Sequence, residues 1–230
     1  MNQDSAVFIV VPAFNEAASI GATLNQLSTT GHQIVVVDDG STDATPSILS
    51  RFTQIHRLRH PINLGQGAAL QTGMTYALEQ GAGYIVHFDA DGQHRAADIE
   101  RLLEPLFADE ADAVLGSRFL VAEHRQRVPP MRRCVLQAAR VVNYLLSGLW
   151  LTDAHNGLRA LARRAAEAVH FQENGYGHAT EILIQLARAK LRVVERPACI
   201  LYTDYARAKG QSTFNAVHIL LDLCLGRLLR

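Results

Sequence analysis

The stretch Tyr84–His94 reads YIVHFDADGQH, a mostly apolar run that ends in two carboxylates, Asp89 and Asp91, with a single residue between them. Short runs rich in β-branched and aromatic residues are typical of strands that are buried on both faces. Like charges two residues apart repel, so we expect a positive group beside them, or a shifted or solvated carboxylate. The stretch therefore predicts a buried strand that delivers two acidic side chains to one site.

Similar apolar runs alternate with helical stretches through the first half of the chain. The predicted strands are Val7–Val11, Ile34–Val37, a weaker Ile55–Leu58, Tyr84–Phe88 and Ala113–Leu115. The predicted helices are Ala17–Leu27, Asp43–Phe52, Gly67–Gln80 and Ala97–Phe107. Strands and helices that alternate at this spacing indicate βαβ units, so the sequence predicts an α/β fold with a Rossmann-like, mainly parallel sheet flanked by helices.

Beyond residue 120 the pattern is less regular. The predicted elements are a charged loop at Glu123–Arg127, helices at Met131–Gly148 and Gly177–Ala189, a strand at Leu158–Ala162, and a strand-like run at Leu191–Tyr202 that Pro197 interrupts. A predicted amphipathic helix, Phe214–Arg230, comes last. We expect a single domain over residues 1–230, in which residues 121–230 form an α-rich region beside the α/β half.

The composition argues against several classes of protein. Lys+Arg and Asp+Glu both number 22, so no overall field favours a nucleic-acid partner. The three cysteines, Cys134, Cys199 and Cys224, are far apart among apolar residues, which favours a reducing compartment over a disulfide framework or a zinc site. We see no signal peptide and no run of roughly 18 to 20 apolar residues. We therefore expect a cytoplasmic protein that is soluble or peripheral at the membrane surface.

Polar clusters follow three of the predicted strands. They are Pro12–Glu16, Asp38–Ser41 and Asp89–Asp91. In sheets of this kind, ligands bind beyond the carboxyl ends of the strands. An ordinary strand-to-helix turn could explain any one cluster, but three at one edge of a sheet predict a ligand site.

The pair Asp89 and Asp91 carries the most specific chemistry. Two carboxylates that flank a turn residue at a strand end can share a divalent cation, and such hard oxygen ligands suit Mg²⁺ or Mn²⁺. Mg²⁺ commonly completes its coordination with phosphate oxygens. The pair therefore predicts a metal site that is completed by a diphosphate.

Two further segments are candidate ligand contacts. Asp38 and Asp39 follow a strand, where a carboxylate can bind a nucleobase or a ribose hydroxyl, although the segment could also be a simple helix-capping turn. Asn63–Gly67 precedes a helix, and Gly65 could let the backbone approach a ligand. The segment lacks the full glycine patterns of dinucleotide-binding folds and P-loops.

Several basic residues are candidate phosphate contacts. Arg118, Arg133 and Arg207 could bind phosphate through the fork of the guanidinium, although a solvated surface charge explains each of them equally well. His94 and His155 stand beside acidic motifs. No GxSxG motif or Ser-His-Asp order indicates a hydrolase.

Four segments, taken together, carry a family resemblance. They are VVPAFNEAASI (10–20), VVVDDGSTDAT (35–45), NLGQGAALQTGM (63–74) and FDADGQH (88–94), with weaker matches at LGSRF (115–119), DAHNGLRA (153–160), ATEIL (179–183) and RAKGQS (207–212). In this order they resemble the inverting family 2 glycosyltransferases of GT-A fold, in particular the polyprenyl-phosphate sugar synthases that are similar to dolichyl-phosphate mannose synthase. The resemblance covers about residues 6–215.

The resemblance implies a role for each matching residue. The residues that would hold the nucleoside are Pro12, Asn15, Glu16 and Asp39, and those that would hold the metal and the diphosphate are Asp89, Asp91 and Gln93. Three arginines, Arg118, Arg133 and Arg207, would face the donor diphosphate or the acceptor phosphate. Asp153 would lie near the sugar or the acceptor. Residues 121–230 would form the acceptor-binding half. HNGLR (155–159) stands where the family has SGFR, and Thr213 stands where it has Lys, so the sugar and the acceptor stay open.

The implied activity is inverting transfer of a hexose from a UDP- or GDP-sugar, most readily to a polyprenyl phosphate, with Mg²⁺ or Mn²⁺ as cofactor. An ionised lipid phosphate needs no strong general base, whereas a hydroxyl acceptor would need one, for which Asp91 and Asp153 are the candidates. The terminal helix Phe214–Arg230 could pack on the core, lie at a membrane or bind a small membrane-protein partner. Two alternatives are a sugar-1-phosphate nucleotidyltransferase and a non-catalytic nucleotide-sugar-binding subunit.

Overall fold

The structure, a computed structural model, describes residues 5–126, 128, 130–153, 155–175 and 177–201, without the side chains of Pro130 and Arg132. Within these ranges one seven-stranded sheet has the order β3-β2-β1-β4-β6-β5-β7. Its strands are β1 (Val7–Ala13), β2 (Gln33–Asp38), β3 (His56–Arg59), β4 (Tyr84–His87), β5 (Ala113–Ser117), β6 (Arg159–Ala162) and β7 (Val193–Pro197).

Strand β6 runs opposite to the rest of the sheet. It lies between β4 and β5 and is antiparallel to both, whereas every other pair of neighbours is parallel. The amino end of β6 therefore lies at the edge where the other strands end. This direction brings the residues just before Arg159 to the same edge as those that follow β4.

Helices cover both faces of the sheet. They are α1 (Ile20–Ser28), α2 (Thr45–Leu49), α3 (Gln66–Glu79), α4 (Asp98–Phe107), α5 (Ala122–Gln126), α6 (Pro130–Ser147), α7 (Arg163–Ala168) and α8 (His178–Arg188). Alternate residues of β1 enter two separate cores: Ile9 packs in the core that contains α1 and α4, and Val10 packs in the core that contains α3 and α8. Because both faces are covered, the central strands are apolar at nearly every position.

The predicted α/β class, with a mainly parallel sheet and flanking helices, is confirmed. Each predicted strand of the first half is present with its ends shifted by a few residues. The predicted helix Asp43–Phe52 is shorter, because the Asp43 carboxylate accepts a hydrogen bond from Thr45 N at 2.9 Å and the helix begins only there. The strand-like run from Leu191 is β7, which ends at Pro197.

Two predictions for the second half were wrong or incomplete. The charged loop at Glu123–Arg127 is in fact largely helical, since α5 spans Ala122–Gln126. Ala, Glu, Arg and Gln all favour helix, and charge alone does not mark a loop. Helix α7 was not predicted. The terminal helix Phe214–Arg230 lies outside the described residues, and the division into two halves at residue 120 stays a prediction.

None of the helices in the described ranges is both long enough and apolar enough to cross a membrane.

Candidate active site

A cavity of about 440 Å³ opens at the sheet edge where β1, β2, β4 and β5 end. The three polar clusters that the sequence predicts to meet at one edge all contribute to its lining. Lining residues come from the end of β1 and the segment after it (Pro12, Phe14, Glu16), from the segments after β2 (Asp39), β4 (Asp89, Asp91, Gln93, His94) and β5 (Arg118), and from the segment before β6 (His155, Asn156, Gly157).

The carboxylate of Asp89 is held by three neighbours. Gln66 Nε2 donates a hydrogen bond to Oδ1 at 3.0 Å, and His94 Nε2 lies 2.9 Å from Oδ2. The backbone of Gly157 packs directly against the carboxylate, so that a Cβ at this position would lie 2.8 Å from Asp89 Cγ and collide with Oδ2. The position of Asp89 is therefore fixed before any ligand binds.

The two carboxylates after β4 differ in their readiness to ionise. Burial alone would raise the pKa of Asp89, but the hydrogen bond and charge of His94, with the neighbouring His178 and Arg159, lower it overall. Burial and the charge of Asp89 raise the pKa of Asp91 to about 6. Asp91 accepts a hydrogen bond from Gln93 N at 3.0 Å. One carboxylate is thus firmly charged, and the charge of the other is opposed by its surroundings.

The donor set around Asp89 and Asp91 fits a divalent cation. A cation between two carboxylates removes the repulsion that raises the Asp91 pKa, and oxygen ligands suit Mg²⁺ and Mn²⁺. Among the described residues no group of three or more His, Cys, Asp or Glu side chains is arranged to hold a metal. The part of the chain that the structure describes therefore offers two carboxylates, with Gln93 beside them, and leaves the remaining coordination positions to water and to a ligand.

A buried positive charge lies near this pair. Arg159, at the start of β6, is 2% exposed and donates from Nε to Asn156 O at 3.0 Å. Burial lowers its pKa to about 10, which leaves it protonated at neutral pH, while the charges of Asp89 and Asp153 oppose the shift. His87 lies opposite Arg159 in the β4–β6 pairing, and burial, reinforced by the Arg159 charge, lowers its pKa to about 3. His87 is therefore neutral, and Arg159 carries the charge.

Arg118 and Asp153 form a buried ion pair in the cavity wall. Arg118 Nε donates to Asp153 Oδ2 at 2.6 Å, and Arg118 Nη2 donates to His155 O at 3.2 Å. The Asp153 side chain is fully buried and does not line the cavity, whereas Arg118 does. This geometry makes Asp153 a residue that orients Arg118, and it gives Asp153 no direct access to a ligand in the cavity.

Helix α6 braces the same wall through His155. Asn143 Nδ2 lies 3.0 Å from His155 Nε2 and also donates to Ala139 O at 2.9 Å. Burial lowers the pKa of His155 to about 4, so its ring is neutral at neutral pH. The wall segment before β6 is therefore tied to α6 by a neutral hydrogen bond.

The segment after β1 is joined to the segment after β2. Asn15 has a positive φ of 54°, and its Oδ1 accepts a hydrogen bond from Thr42 N at 2.9 Å. Glu16 N donates to Thr45 Oγ1 at 2.8 Å. Pro12 and Glu16 line the cavity, whereas Asn15 is not among the lining residues and connects the two segments.

Asp39 holds the start of the glycine-containing segment. Its Oδ1 accepts from Leu64 N at 2.9 Å and its Oδ2 accepts from Gly65 N at 2.8 Å. Gly65 lines the cavity and has a φ of 104°, which favours glycine. Asp39 and Gly65 therefore act as one unit at this end of the cavity.

The two glycines of this segment, Gly65 and Gly67, also allow protein backbone to approach closely. Gly67 N donates to Asn174 O at 2.8 Å, and a Cβ on Gly65 or Gly67 would collide with the carbonyl of Asn174 or Glu173. Glu181 in turn accepts hydrogen bonds from two backbone amides of the same loop, Gln172 N at 3.0 Å and Glu173 N at 3.0 Å. The amino end of α3 is thus closed by the loop before α8.

Of the other two predicted arginines, the structure describes only Arg133, and it differs from Arg118 in position. Arg133 Nη2 donates to Arg125 O at 2.9 Å and to Val128 O at 3.4 Å, and Arg133 is not among the residues that line the cavity. It connects α6 to the preceding segment. Arg207 lies outside the described residues.

Sequence reasoning missed Gln66 and Arg159 as parts of the site. Gln66 lies between two glycines of the third matching segment, and Arg159 ends the HNGLR stretch, so both stood inside segments that the resemblance had already singled out. The signal was present, but only the structure shows that Gln66 contacts Asp89 and that Arg159 is a buried cation near it.

A mainly parallel sheet with this strand order and this cavity is the GT-A fold. The chain is similar to the crystal structure of glucosyl-3-phosphoglycerate synthase from Mycobacterium tuberculosis in complex with Mn²⁺, uridine diphosphate and phosphoglyceric acid. The TM-score is 0.70 at 18% identity, over 96% of this chain and 79% of that one. The predicted GT-A architecture is therefore confirmed.

Other proteins have a higher sequence identity to the chain than this crystal structure has. The chain belongs to glycosyl transferase family 2, which matches residues 8–188, and it is a glycosyltransferase. It is 30% identical to a UDP-N-acetylglucosamine–dolichyl-phosphate N-acetylglucosaminyltransferase of Methanococcus voltae, over 98% of this chain and 99% of that protein. It is also 30% identical to an undecaprenyl-phosphate mannosyltransferase of Micrococcus luteus, over 88% and 86%. The resemblance inferred from the four motifs is confirmed.

Proposed function

We propose that this glycosyltransferase moves a hexose, with inversion, from a nucleotide-diphosphate sugar to the phosphate of a polyprenyl phosphate. The observation that carries the proposal is the acidic pair Asp89 and Asp91 in a cavity that Arg118 also lines. The names of the two curated relatives, which both act on polyprenyl-type phosphates, support the acceptor. Membership of a glycosyltransferase family favours sugar transfer over nucleotidyl transfer or a purely binding role.

In this proposal Asp89 and Asp91, with Gln93, would hold Mg²⁺ or Mn²⁺ at the site of the donor diphosphate. The ion, when bound, stabilises the negative charge that builds on the departing nucleoside diphosphate. Gln66 and His94 keep the Asp89 carboxylate in place, so the ligand does not have to reorganise it. Pro12, Glu16, Asp39 and Gly65 border the end of the cavity that receives the nucleoside.

The acceptor phosphate attacks the anomeric carbon as the bond to the donor diphosphate breaks. Arg118 offers a guanidinium to phosphate oxygens, and Asp153 fixes its orientation. Asp153 is fully buried in this ion pair, which argues against its serving as a general base for a hydroxyl acceptor. A phosphate acceptor, which is already ionised at neutral pH, needs no such base. In this proposal the other candidate base, Asp91, is engaged by the metal, so the burial of Asp153 leaves a hydroxyl acceptor without a base and favours a phosphate acceptor.

The test is a transfer assay with purified full-length protein, Mn²⁺, UDP-glucose, UDP-N-acetylglucosamine or GDP-mannose, and a short polyprenyl phosphate. We expect one donor to give an acid-labile glycosyl phosphate lipid whose anomeric configuration is opposite to that of the donor. The matched acceptor is the corresponding polyprenol, which carries a hydroxyl in place of the phosphate and should not react. Transfer to the polyprenol alone, or formation of pyrophosphate from a sugar 1-phosphate and a nucleoside triphosphate, would contradict the proposal.

An exposed apolar stripe on α6 suits an enzyme whose acceptor lies in a membrane. Residues at helical spacing point outward along it, and they include Met131 at 68%, Val141 at 48% and Leu145 at 75% exposure. Trp150 follows the helix at 60% exposure, with the guanidinium of Arg140 4.3 Å from its ring centroid. Apolar and aromatic groups with basic neighbours are typical of surfaces that lie in a membrane interface.

We expect the double variant Val141→Glu/Leu145→Glu to lose most binding to vesicles of phosphatidylethanolamine and phosphatidylglycerol in a flotation assay. Each glutamate places a charge where an acyl chain would lie, and two apolar side chains contribute roughly 3 kcal/mol of burial. Ile62→Glu is the matched control, because Ile62 is 63% exposed and belongs to the segment between β3 and α3 rather than to α6. Equal flotation of the wild type and the double variant would contradict a membrane role for this stripe. The terminal segment Phe214–Arg230, on which the prediction of a membrane-protein partner depends, lies outside the described residues.

A further inference from the structure

The carboxylate of Glu195 on β7 receives hydrogen bonds from the segment that contains Asp153. Thr152 N donates to Oε2 at 2.8 Å, Thr152 Oγ1 donates to Oε1 at 2.9 Å, and Asp153 N donates to Oε1 at 2.9 Å. This segment lies between α6 and β6 and has no helix or strand among its described residues, so its backbone amides need partners from elsewhere in the fold. Glu195 therefore fixes the backbone from which the Asp153 side chain projects.

The same carboxylate ends a chain of hydroxyl groups. Ser117 Oγ lies 2.6 Å from Thr152 Oγ1 and accepts a hydrogen bond from Phe119 N at 3.1 Å. Because the single hydrogen of the Thr152 hydroxyl is donated to Glu195, Ser117 Oγ must be the donor in its contact with Thr152. The chain therefore runs in one direction, from Phe119 N through two hydroxyls to Glu195.

These contacts fix the residues on both sides of Arg118. Ser117 and Phe119 are its neighbours in the sequence. Asp153 Oδ2 accepts a hydrogen bond from Arg118 N at 3.1 Å as well as from Arg118 Nε. Arg118 lines the cavity, whereas Glu195 is not among the described residues that do so. The contacts thus connect Glu195 to Arg118 through Asp153 and Ser117, without placing Glu195 at a ligand.

We propose that Glu195 is a positioning residue for sugar transfer, which holds the Arg118 guanidinium in the orientation that meets phosphate oxygens. An arginine binds phosphate through a planar fork, so a small rotation of its side chain removes part of the contact. A shift of about 1 Å in such a group can lower the rate by about 100-fold. This inference depends on the proposed function, in which Arg118 contacts phosphate.

The test is a double-mutant cycle between Glu195 and Arg118, with full-length protein, Mn²⁺, the preferred nucleotide-sugar and a short polyprenyl phosphate. We expect Glu195→Ala to lower kcat/KM for the acceptor by about 10- to 100-fold in the wild type. In the Arg118→Ala background the same change should cost less than about three-fold, because residues that act through one contact are not additive.

Two further variants separate positioning from general damage. Glu195→Gln keeps an oxygen in the place of Oε1, which accepts from Thr152 and Asp153, so it should recover part of the lost activity. Glu110→Ala removes another glutamate, whose side chain is 66% exposed and lies 4.0 Å from Arg196 Nη2. This control should stay within about two-fold of the wild type.

Calorimetric binding of UDP with Mn²⁺ to Glu195→Ala shows which phosphate Arg118 meets. A higher KM for the polyprenyl phosphate with unchanged UDP binding supports the inference and assigns the acceptor phosphate. Weaker UDP binding also supports it, provided that the effect is absent in the Arg118→Ala background, and assigns the donor diphosphate.

The outcomes separate the two proposals. If the losses from Glu195→Ala and Arg118→Ala multiply in the double variant, Glu195 acts independently of Arg118, and the inference is wrong while sugar transfer stands. A wild type that transfers no sugar to the polyprenyl phosphate from UDP-glucose, UDP-N-acetylglucosamine or GDP-mannose would overturn the proposed function, and the inference with it.

Discussion

Replacing Asp91 with Asn is expected to lower glycosyl transfer by about a thousand-fold and, at the same time, to make the metal-free protein more stable at pH 7. In the proposed function Asp91 is a metal ligand, and activity falls with its loss because Lewis-acid stabilisation of the leaving group contributes several kcal/mol and each 1.4 kcal/mol is about ten-fold in rate. The variant should also bind Mn²⁺ and the nucleotide-sugar weakly in calorimetry.

The gain in stability follows from the raised pKa of Asp91, about 6 against an ordinary value of 3.8. The folded protein holds this proton more tightly than the unfolded chain, so the contribution of Asp91 to stability is fully present below about pH 4 and is lost as the pH rises through about 6. Asn cannot ionise, so the variant keeps about 1–3 kcal/mol at pH 7 that the wild type loses.

Melting temperatures in EDTA at pH 4, 5, 6 and 7 measure this difference. The gap between the variant and the wild type should open as the pH rises, and Mn²⁺ should stabilise the wild type alone. Glu79→Gln, which removes an exposed charge at the end of α3, is the control and should change neither activity nor the pH dependence. A wild type that is as stable as the Asn variant at pH 7 without metal would show that Asp91 is not under electrostatic strain.

The second large effect is expected at Gly157. An alanine there would place its Cβ 2.9 Å from Asp89 Oδ1 and in collision with Oδ2, so the carboxylate must move from its contacts with Gln66 and His94. Loss of the hydrogen bonds that position a metal ligand lowers metal affinity by about 10- to 100-fold, and a shift of about 1 Å in a catalytic group lowers the rate by about 100-fold. We expect Gly157→Ala to lower turnover by about 100-fold or more and to weaken Mn²⁺ binding accordingly.

Gly175→Ala is the matched control for this substitution. Gly175 also lines the cavity, but a Cβ there would meet nothing within 4 Å. Activity within about two-fold of the wild type is expected for the control, since no neighbour has to move. The same loss of activity in both variants would mean that the cavity tolerates no added methyl group, and that contact between Gly157 and Asp89 is not the cause.

The sequence predicted those parts of the fold that follow from local pattern. Continuous apolar runs such as Val7–Val11 predict strands covered on both faces, and the two cores confirm that burial. The direction of β6 could not be predicted, because a four-residue strand has no pattern that records which neighbours it joins. Its place between β4 and β5 depends on long-range packing of both halves of the chain.

The candidate site was predicted to a similar extent. The acidic pair after β4 and the glycine at 65 were found because the chemistry depends on residue type at a strand end. The ion pair between Arg118 and Asp153 was not predicted, because the two residues are far apart in the sequence although Arg118 Nε lies 2.6 Å from Asp153 Oδ2. Likewise, Arg133 looks like a phosphate contact in the sequence, but its guanidinium binds two backbone carbonyls next to α6. Side-chain partners of this kind are decided by tertiary packing.

The insertion of β6 between β4 and β5 has a consequence for the order of folding. When the chain has left the ribosome only as far as β5, no strand yet lies between β4 and β5. Both strands then present unpaired backbone edges. Contacts of such long sequence separation form late, because the intervening loop must be closed first. The same late step brings Gly157 against Asp89 and sets Arg159 beside it. Closure of the sheet and assembly of the candidate site are therefore a single event, so partly synthesised chains should not bind a nucleotide-sugar.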